Sequence, residues 1–304
     1  MNCSPFVKGK TASENTCYTK DILFKIRDAY NNTHIHSQIT KNPPIHTNNP
    51  DEIISELTER LNCEKEDCWL KETLKQNHIE LDKLIFAPDK PDEWKINPNE
   101  WLSNFDIADV LRQYEKSNSY FKFIGPTPID FDYKKSTNVC VWDELCNFSL
   151  DDYIKKQITD IGIIFNLDKH TGRGTHWVSM YINIPDKLIF YYDSASNRTP
   201  TEIKNLVKRI QEMSKNSNFI HSINLNTKQS RKKHHQPSIG FKYIENYPNQ
   251  HQQSNTECGM YSLYFIITML DKSISLNRKI KMFKYDKIKD KSVEKLRNIY
   301  FNEK

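Results

Sequence analysis

The stretch His176-Trp-Val-Ser-Met-Tyr-Ile-Asn-Ile-Pro-Asp-Lys-Leu-Ile-Phe-Tyr-Tyr-Asp193 decides the fold class. Its two arms, 176–184 and 187–192, are short runs rich in β-branched and aromatic residues, and Pro185-Asp186 between them is a turn signal. The pattern predicts a hairpin within a sheet. One arm begins at His176 and the other ends at Asp193, so pairing about the turn brings an imidazole and a carboxylate to the same end of the sheet.

Working outward, 161–167 and 219–225 read as further strands. Between them, 201–214 carries Ile203, Leu206, Val207, Ile210 and Met213 at helical intervals after a Thr-Pro start. The strongly apolar 258–270 predicts a buried helix, capped by Asn255 or by Thr256-Glu257. Towards the amino terminus, 19–30 and 51–76 place Ile, Leu and Phe at helical spacings, as in Ile53, Ile54, Leu57 and Leu61, and 100–115 continues in the same way. Breaks fall at Pro43, Pro44 and Pro50 and again across 88–98. The expected organisation is a helical arm over 1–95 and an α+β core over 96–304, with a basic extension from about 271.

Composition removes several classes. In 304 residues, hydrophobic content of 37% is low, yet aromatics reach 12%, so a sizeable core is expected rather than wholesale disorder. The longest apolar run, 261–270, is well short of the roughly 20 residues a membrane span requires. The start Met-Asn-Cys-Ser-Pro lacks a basic segment followed by an apolar one, so no signal peptide is expected. A net charge of +5 is too small to mark a nucleic-acid binder by itself. Abundant Lys, Asn and Ile with only 7 Gly reads as AT-rich coding. The cysteines at 3, 17, 63, 68, 140, 146 and 258 form no Cys-x-x-Cys pair and are odd in number, which predicts buried free thiols in a reducing compartment. Cys63 and Cys68 with His78 make only part of a zinc set, and His234, His235 and His251 lack a supporting carboxylate spacing, so no metal is expected.

Chemistry concentrates in Gln252-Gln-Ser-Asn-Thr-Glu-Cys-Gly-Met-Tyr261, where Cys258 sits as a polar loop turns into an apolar helix. A helix amino terminus offers unpaired N–H groups and positive dipole, which stabilise a thiolate and a developing oxyanion. Gly259 beside the thiol is expected to let a substrate backbone come close. A thiolate nucleophile needs a base, which His176 supplies, and a carboxylate to orient that base, which Asp193 supplies. Taken singly, a histidine at a strand start is most often a surface or satisfied core residue, and an Asp at a strand end a turn residue. The combination carries the reading. Gln252 would add an amide donor for the tetrahedral oxygen, with adjacent Gln253 as the alternative if a one-residue bulge shifts the loop.

His-Trp, then Asp seventeen positions on, then Gln six positions before Cys-Gly, resembles the SUMO-specific and adenain-like cysteine proteases. Trp101-Leu-Ser-Asn-Phe-Asp-Ile107 is similar to the Trp-Leu-Asn-Asp-x-x-Ile segment of that family, with Ser103-Asn104 departing from it. The helical arm, Gly125-Pro-Thr-Pro-Ile-Asp-Phe131 and the segment around Cys258 bring the resemblance nearer to the thiol proteases of large DNA viruses of the mimivirus and African swine fever virus kind. The resemblance implies a papain-like/adenain-like core with a central, mostly antiparallel sheet flanked by helices. It implies Cys258 as nucleophile, His176 as general base and acid, Asp193 as orienting carboxylate, Gln252 as oxyanion donor, and two substrate-binding tryptophans, Trp101 as a wall of the substrate groove and Trp177 beside the catalytic imidazole. It also implies cleavage after Gly-Gly-type sites in viral polyproteins during virion maturation, without a cofactor, in virions and the cytoplasmic viral factory. A ubiquitin or SUMO isopeptidase acting on host conjugates and a catalytically inactive virion scaffold remain the alternatives. The basic segments 228–235 and 278–304 offer weak, nonspecific DNA contact in the manner of adenain-like enzymes, against the commoner reading as solvated surface.

Overall fold

The computed structural model describes residues 1–35, 43–63, 65–74, 78–137, 139–216 and 240–303. The strand expected at 219–225, the basic stretch 228–235 and His234 and His235 lie outside the described residues. Two compact units emerge: Met1–Asp92 together with Arg297–Lys304, and Glu93–Leu296.

The first unit is helical. Helices α1 (Lys20–Ile35), α2 (Pro50–Leu61), α3 (Glu66–Leu74) and α4 (His78–Ile85) surround a core that includes Leu23, Ile26, Ile53, Leu57, Trp69 and Phe86. Asn49 caps α2 by accepting from the Asp51 N–H, and Pro50 at the first helical position fits that start. Tyr18 stacks on Trp69 and meets Phe86 edge-on. The chain's last residues join this unit, with the Asn302 side chain donating to the carbonyls of Asn2 and Ala87.

The second unit opens with α5 (Asn104–Ser117), started by a reciprocal capping box between Ser103 and Asp106. There follow β1 (Phe121–Pro128), a small antiparallel pair β2 (Lys134–Ser136) and β3 (Val139–Cys140), and the short helices α6 (Asp143–Cys146) and α7 (Leu150–Lys155). Then come β4 (Asp160–Asn166), β5 (Trp177–Asn183), β6 (Leu188–Tyr192), α8 (Thr201–Asn216) and β7 (Lys242–Glu245). The unit closes with α9 (Cys258–Leu270), α10 (Leu276–Lys284) and α11 (Asp290–Glu294). The main sheet has five strands in the order β1-β4-β5-β6-β7. Its centre, β4-β5-β6, is antiparallel, whereas β1 and β7 add in parallel at the edges, so the expected mostly antiparallel sheet is mixed within an α+β fold.

Both faces of the sheet are covered, which explains why its central strands are continuous apolar runs. Val178, Met180, Ile182, Ile189 and Tyr191 share one core with Ile203, Leu206, Val207 and Ile210 of α8. On the other face Phe190 and Tyr192 pack against Phe265 of α9. The close approach of α9 is set by Gly162, where a side-chain carbon would come within 2.9 Å of Ile266 Cγ2.

The cysteines depart from the expectation of free thiols. Disulfides join Cys3–Cys17, Cys63–Cys68 and Cys140–Cys146, leaving Cys258 as the free cysteine. Local turns bring each pair to Cα separations of 5.1, 5.8 and 6.3 Å, within the range a disulfide spans, although none has the Cys-x-x-Cys signature. No group of three or more His, Cys, Asp or Glu is placed to hold a metal ion among the described residues, and no helix among them is long and apolar enough to cross a membrane.

Candidate active site

Pairing of β5 with β6 aligns Ser179 with Tyr192, so His176, just before β5, and Asp193, just after β6, project from the same end of the hairpin. His176 Nε2 lies 2.6 Å from Asp193 Oδ1. Asp193 is fully buried and has further donors: the Ala195 N–H at 2.8 Å, the Asn197 N–H at 3.1 Å and the Asn197 side-chain amide at 3.0 Å. A buried carboxylate with this many N–H partners is held in one orientation. Its backbone is held too. Asn246, itself fully buried, accepts from the Asp193 N–H at 2.9 Å and donates to the Asp193 carbonyl at 2.8 Å.

With Nε2 engaged by Asp193, the other ring nitrogen of His176 is left for Cys258, whose side chain acts on the imidazole together with Asp193. Burial of the ring disfavours its charge, but the bonds to Asp193 and Cys258 and their negative charges outweigh it, and the imidazole pKa is raised to about 10. The two partners therefore favour the imidazolium form of His176. Cys258 is the first residue of α9, and Glu257 occupies the cap position with no side-chain hydrogen bond capping the helix. The N–H groups of that first turn form the positive end of the helix dipole.

Gln252 is built onto the residue that follows Asp193. It is 5% exposed, its Oε1 accepts from the Ser194 hydroxyl at 2.6 Å, and its Nε2 donates to the Ser254 carbonyl at 2.7 Å. One amide proton then remains. Gln253 is exposed, so of the two adjacent glutamines Gln252 is the one turned inward. Ser194 follows Asp193 directly, and its carbonyl accepts from the N–H groups of His251 and Gln252, so the carboxylate and the glutamine are built on one framework.

The two tryptophans separate. Trp101, before α5, retains 37% exposure, whereas Trp177 is 7% exposed and donates from Nε1 to the Leu102 carbonyl at 3.0 Å. Trp177 is thus bound to the lead-in of α5. Gly259 does not open space for a substrate backbone: a side-chain carbon there would meet Leu102 Cβ at 3.1 Å and Trp177 Cδ1 at 3.3 Å. The small residue lets α9 approach these two side chains. Asn246 and Ser194 were missed from sequence, where an Asn after a short strand and a Ser after an Asp carry no distinguishing signal.

The chain belongs to the Ulp1 protease family: residues 134–304 match the C-terminal catalytic domain of that family. It is 27% identical over 270 residues to "Putative thiol protease R355" of Acanthamoeba polyphaga mimivirus, covering 84% of this chain and 80% of that protein. It is 26% identical over 229 residues to "Cysteine protease S273R" of African swine fever virus, covering 71% and 76% respectively; the counterpart from another isolate bears the name "SUMO-1 cysteine protease S273R". The crystal structure of the African swine fever virus pS273R protease shares the fold, with a TM-score of 0.63 at 19% identity over 100% of this chain and 96% of that one. This protein is a cysteine protease, a thiol-dependent peptide-bond hydrolase.

Proposed function

We propose that the protein is an endopeptidase that cleaves after Gly-Gly-type sequences in viral structural polyproteins, acting in virions and the cytoplasmic viral factory during particle maturation. The observation that carries the catalytic part is the position of His176, bonded to Asp193 and with its pKa raised by Asp193 and by the free cysteine Cys258. In this reading the Cys258 thiolate attacks the scissile carbonyl, and the imidazolium of His176 then gives its proton to the leaving amine. The tetrahedral oxygen rests on the remaining Gln252 amide proton and the Cys258 N–H. Water, deprotonated by His176, releases the acyl group and restores the thiolate. Asp193 holds the ring and its charge throughout. Trp101, the more exposed of the two tryptophans, is the wall against which small substrate residues would lie.

A second reading, removal of a ubiquitin-like protein from host conjugates, is favoured by the likeness to the African swine fever virus protein named SUMO-1 cysteine protease. One experiment addresses both. Purified protein and its Cys258→Ala variant are incubated with Gly-Gly-X peptides and with ubiquitin and SUMO fusions. Thiol-blocked peptide cleavage that the variant lacks, with fusions intact, supports polyprotein processing; fusion cleavage supports the isopeptidase. No turnover by wild type, with Cys258 inert to iodoacetamide in the folded protein, would overturn the catalytic reading in favour of an inactive scaffold.

A further inference from the structure

The loop that carries Gln252 is held from its far side by the basic extension, a segment the sequence marks only by its charge. The His251 ring, fully buried, accepts from the Ile288 N–H at Nδ1 and donates from Nε2 to the Phe283 carbonyl. Asn249 donates to the Asp286 carbonyl at 2.8 Å. At the centre is Asp290, the first residue of α11. Its carboxylate accepts from the Gln253 N–H at 3.0 Å and the Ser254 N–H at 2.7 Å, the two residues following Gln252. The same carboxylate accepts from the Tyr261 hydroxyl at 2.8 Å. Tyr261 lies on α9, one helical turn beyond Cys258, and its hydroxyl, with one proton to give, also lies 3.1 Å from the Ile288 carbonyl as the weaker acceptor.

We infer that Asp290 is a positioning residue that fixes the oxyanion donor Gln252 relative to the nucleophile Cys258, by tying the glutamine's loop and the cysteine's helix to one carboxylate. The inference rests on the reading of Gln252 as that donor. The physical case is that a charged acceptor with two successive backbone N–H groups permits little play in the loop. The Gln252 side chain is itself closed onto this loop through its bond to the Ser254 carbonyl, the residue whose N–H Asp290 holds. A shift of Ser254 therefore moves the amide. Displacements of about 1 Å at such a donor are enough to reduce turnover by about a hundredfold.

The test measures kcat and KM on a fluorogenic Gly-Gly peptide, together with the rate of Cys258 alkylation by iodoacetamide, for wild type, Asp290→Ala, Tyr261→Phe, Gln252→Ala and the Gln252→Ala/Asp290→Ala double variant. Alkylation reports the thiolate–imidazolium pair and needs no oxyanion donor. Asp290→Ala should lower kcat about 10- to 100-fold with KM and alkylation nearly unchanged, Tyr261→Phe should lower it less, and the double variant should be no slower than Gln252→Ala. If Asp290→Ala does not fold, Asp290→Asn, which keeps one acceptor oxygen, is read in its place. Losses that multiply in the double variant, or an alkylation rate that falls with kcat, overturn the role of Asp290 alone. An unimpaired Gln252→Ala overturns the donor assignment and the proposal with it.

Discussion

Asp193→Asn isolates the charge that holds His176. The variant keeps the shape of the side chain and one acceptor oxygen while removing the anion from a 2.6 Å contact with the imidazole. Burial alone would push the imidazole below its ordinary value of 6.5, and the bonds and charges of Asp193 and Cys258 lift it instead to about 10. An opposite charge at this range contributes roughly 1–3 units, about 1.4–4 kcal/mol. Without it, the alkaline limb of kcat/KM should fall from near 10 to between about 7 and 9. The amide can also present its N–H to Nε2, which would leave the ring proton on the nitrogen facing Cys258 and lower kcat by up to about 10⁴. The stability effect has a definite sign. A group whose pKa is raised on folding contributes stability that is complete below pH 6.5 and is lost as pH rises through about 10, so the Tm advantage of wild type over the variant should shrink across that window. Peptide turnover from pH 5 to 10.5, with iodoacetamide inactivation in parallel, measures the limb by two routes. A wild-type limb near 6.5, or an unmoved limb in the variant, would refute the reasoning.

Two other perturbations test the framework around the triad. Asn246→Ala removes the partners of both the N–H and the carbonyl of Asp193 in a fully buried setting, and each orphaned group costs about 1–3 kcal/mol; urea unfolding should show a loss of at least about 2 kcal/mol, with a lowered alkaline limb as Asp193 loosens, and a variant as stable as wild type contradicts the clamp. Gly259→Ala places a carbon 3.1–3.3 Å from Leu102 and Trp177, tighter than ordinary contact; overpacking of this kind costs about 1–3 kcal/mol, and a neutral result would mean that α9 is free to move away from these side chains.

The legibility of this chain in its sequence follows the range over which each feature is encoded. The β5–β6 hairpin was readable because its apolar runs and Pro185-Asp186 turn are local, and the position of His176 relative to Asp193 follows from that turn. Helices α8 and α9 were readable for the same reason. The parallel edges were not. Phe121 pairs with Asp160 and Leu188 with Lys242, partners separated by long connections that no periodicity records. The disulfides escaped because their geometry depends on turns that the spacing of the cysteines does not specify.

The same distinction separates the residues that would do the chemistry from those that hold them. A nucleophile, a base and an oxyanion donor need particular functional groups, so Cys258, His176 and Gln252 are conspicuous wherever they occur. Holding them needs only a donor or acceptor at the correct place, which Asn246, Ser194 and Asp290 supply with side chains common on any polar surface. Asp290 follows a lysine and precedes another in a segment whose composition points to a solvated basic face. Only the fold, by setting that face against the loop after Gln252, converts one carboxylate within it into a link between the loop and the Cys258 helix.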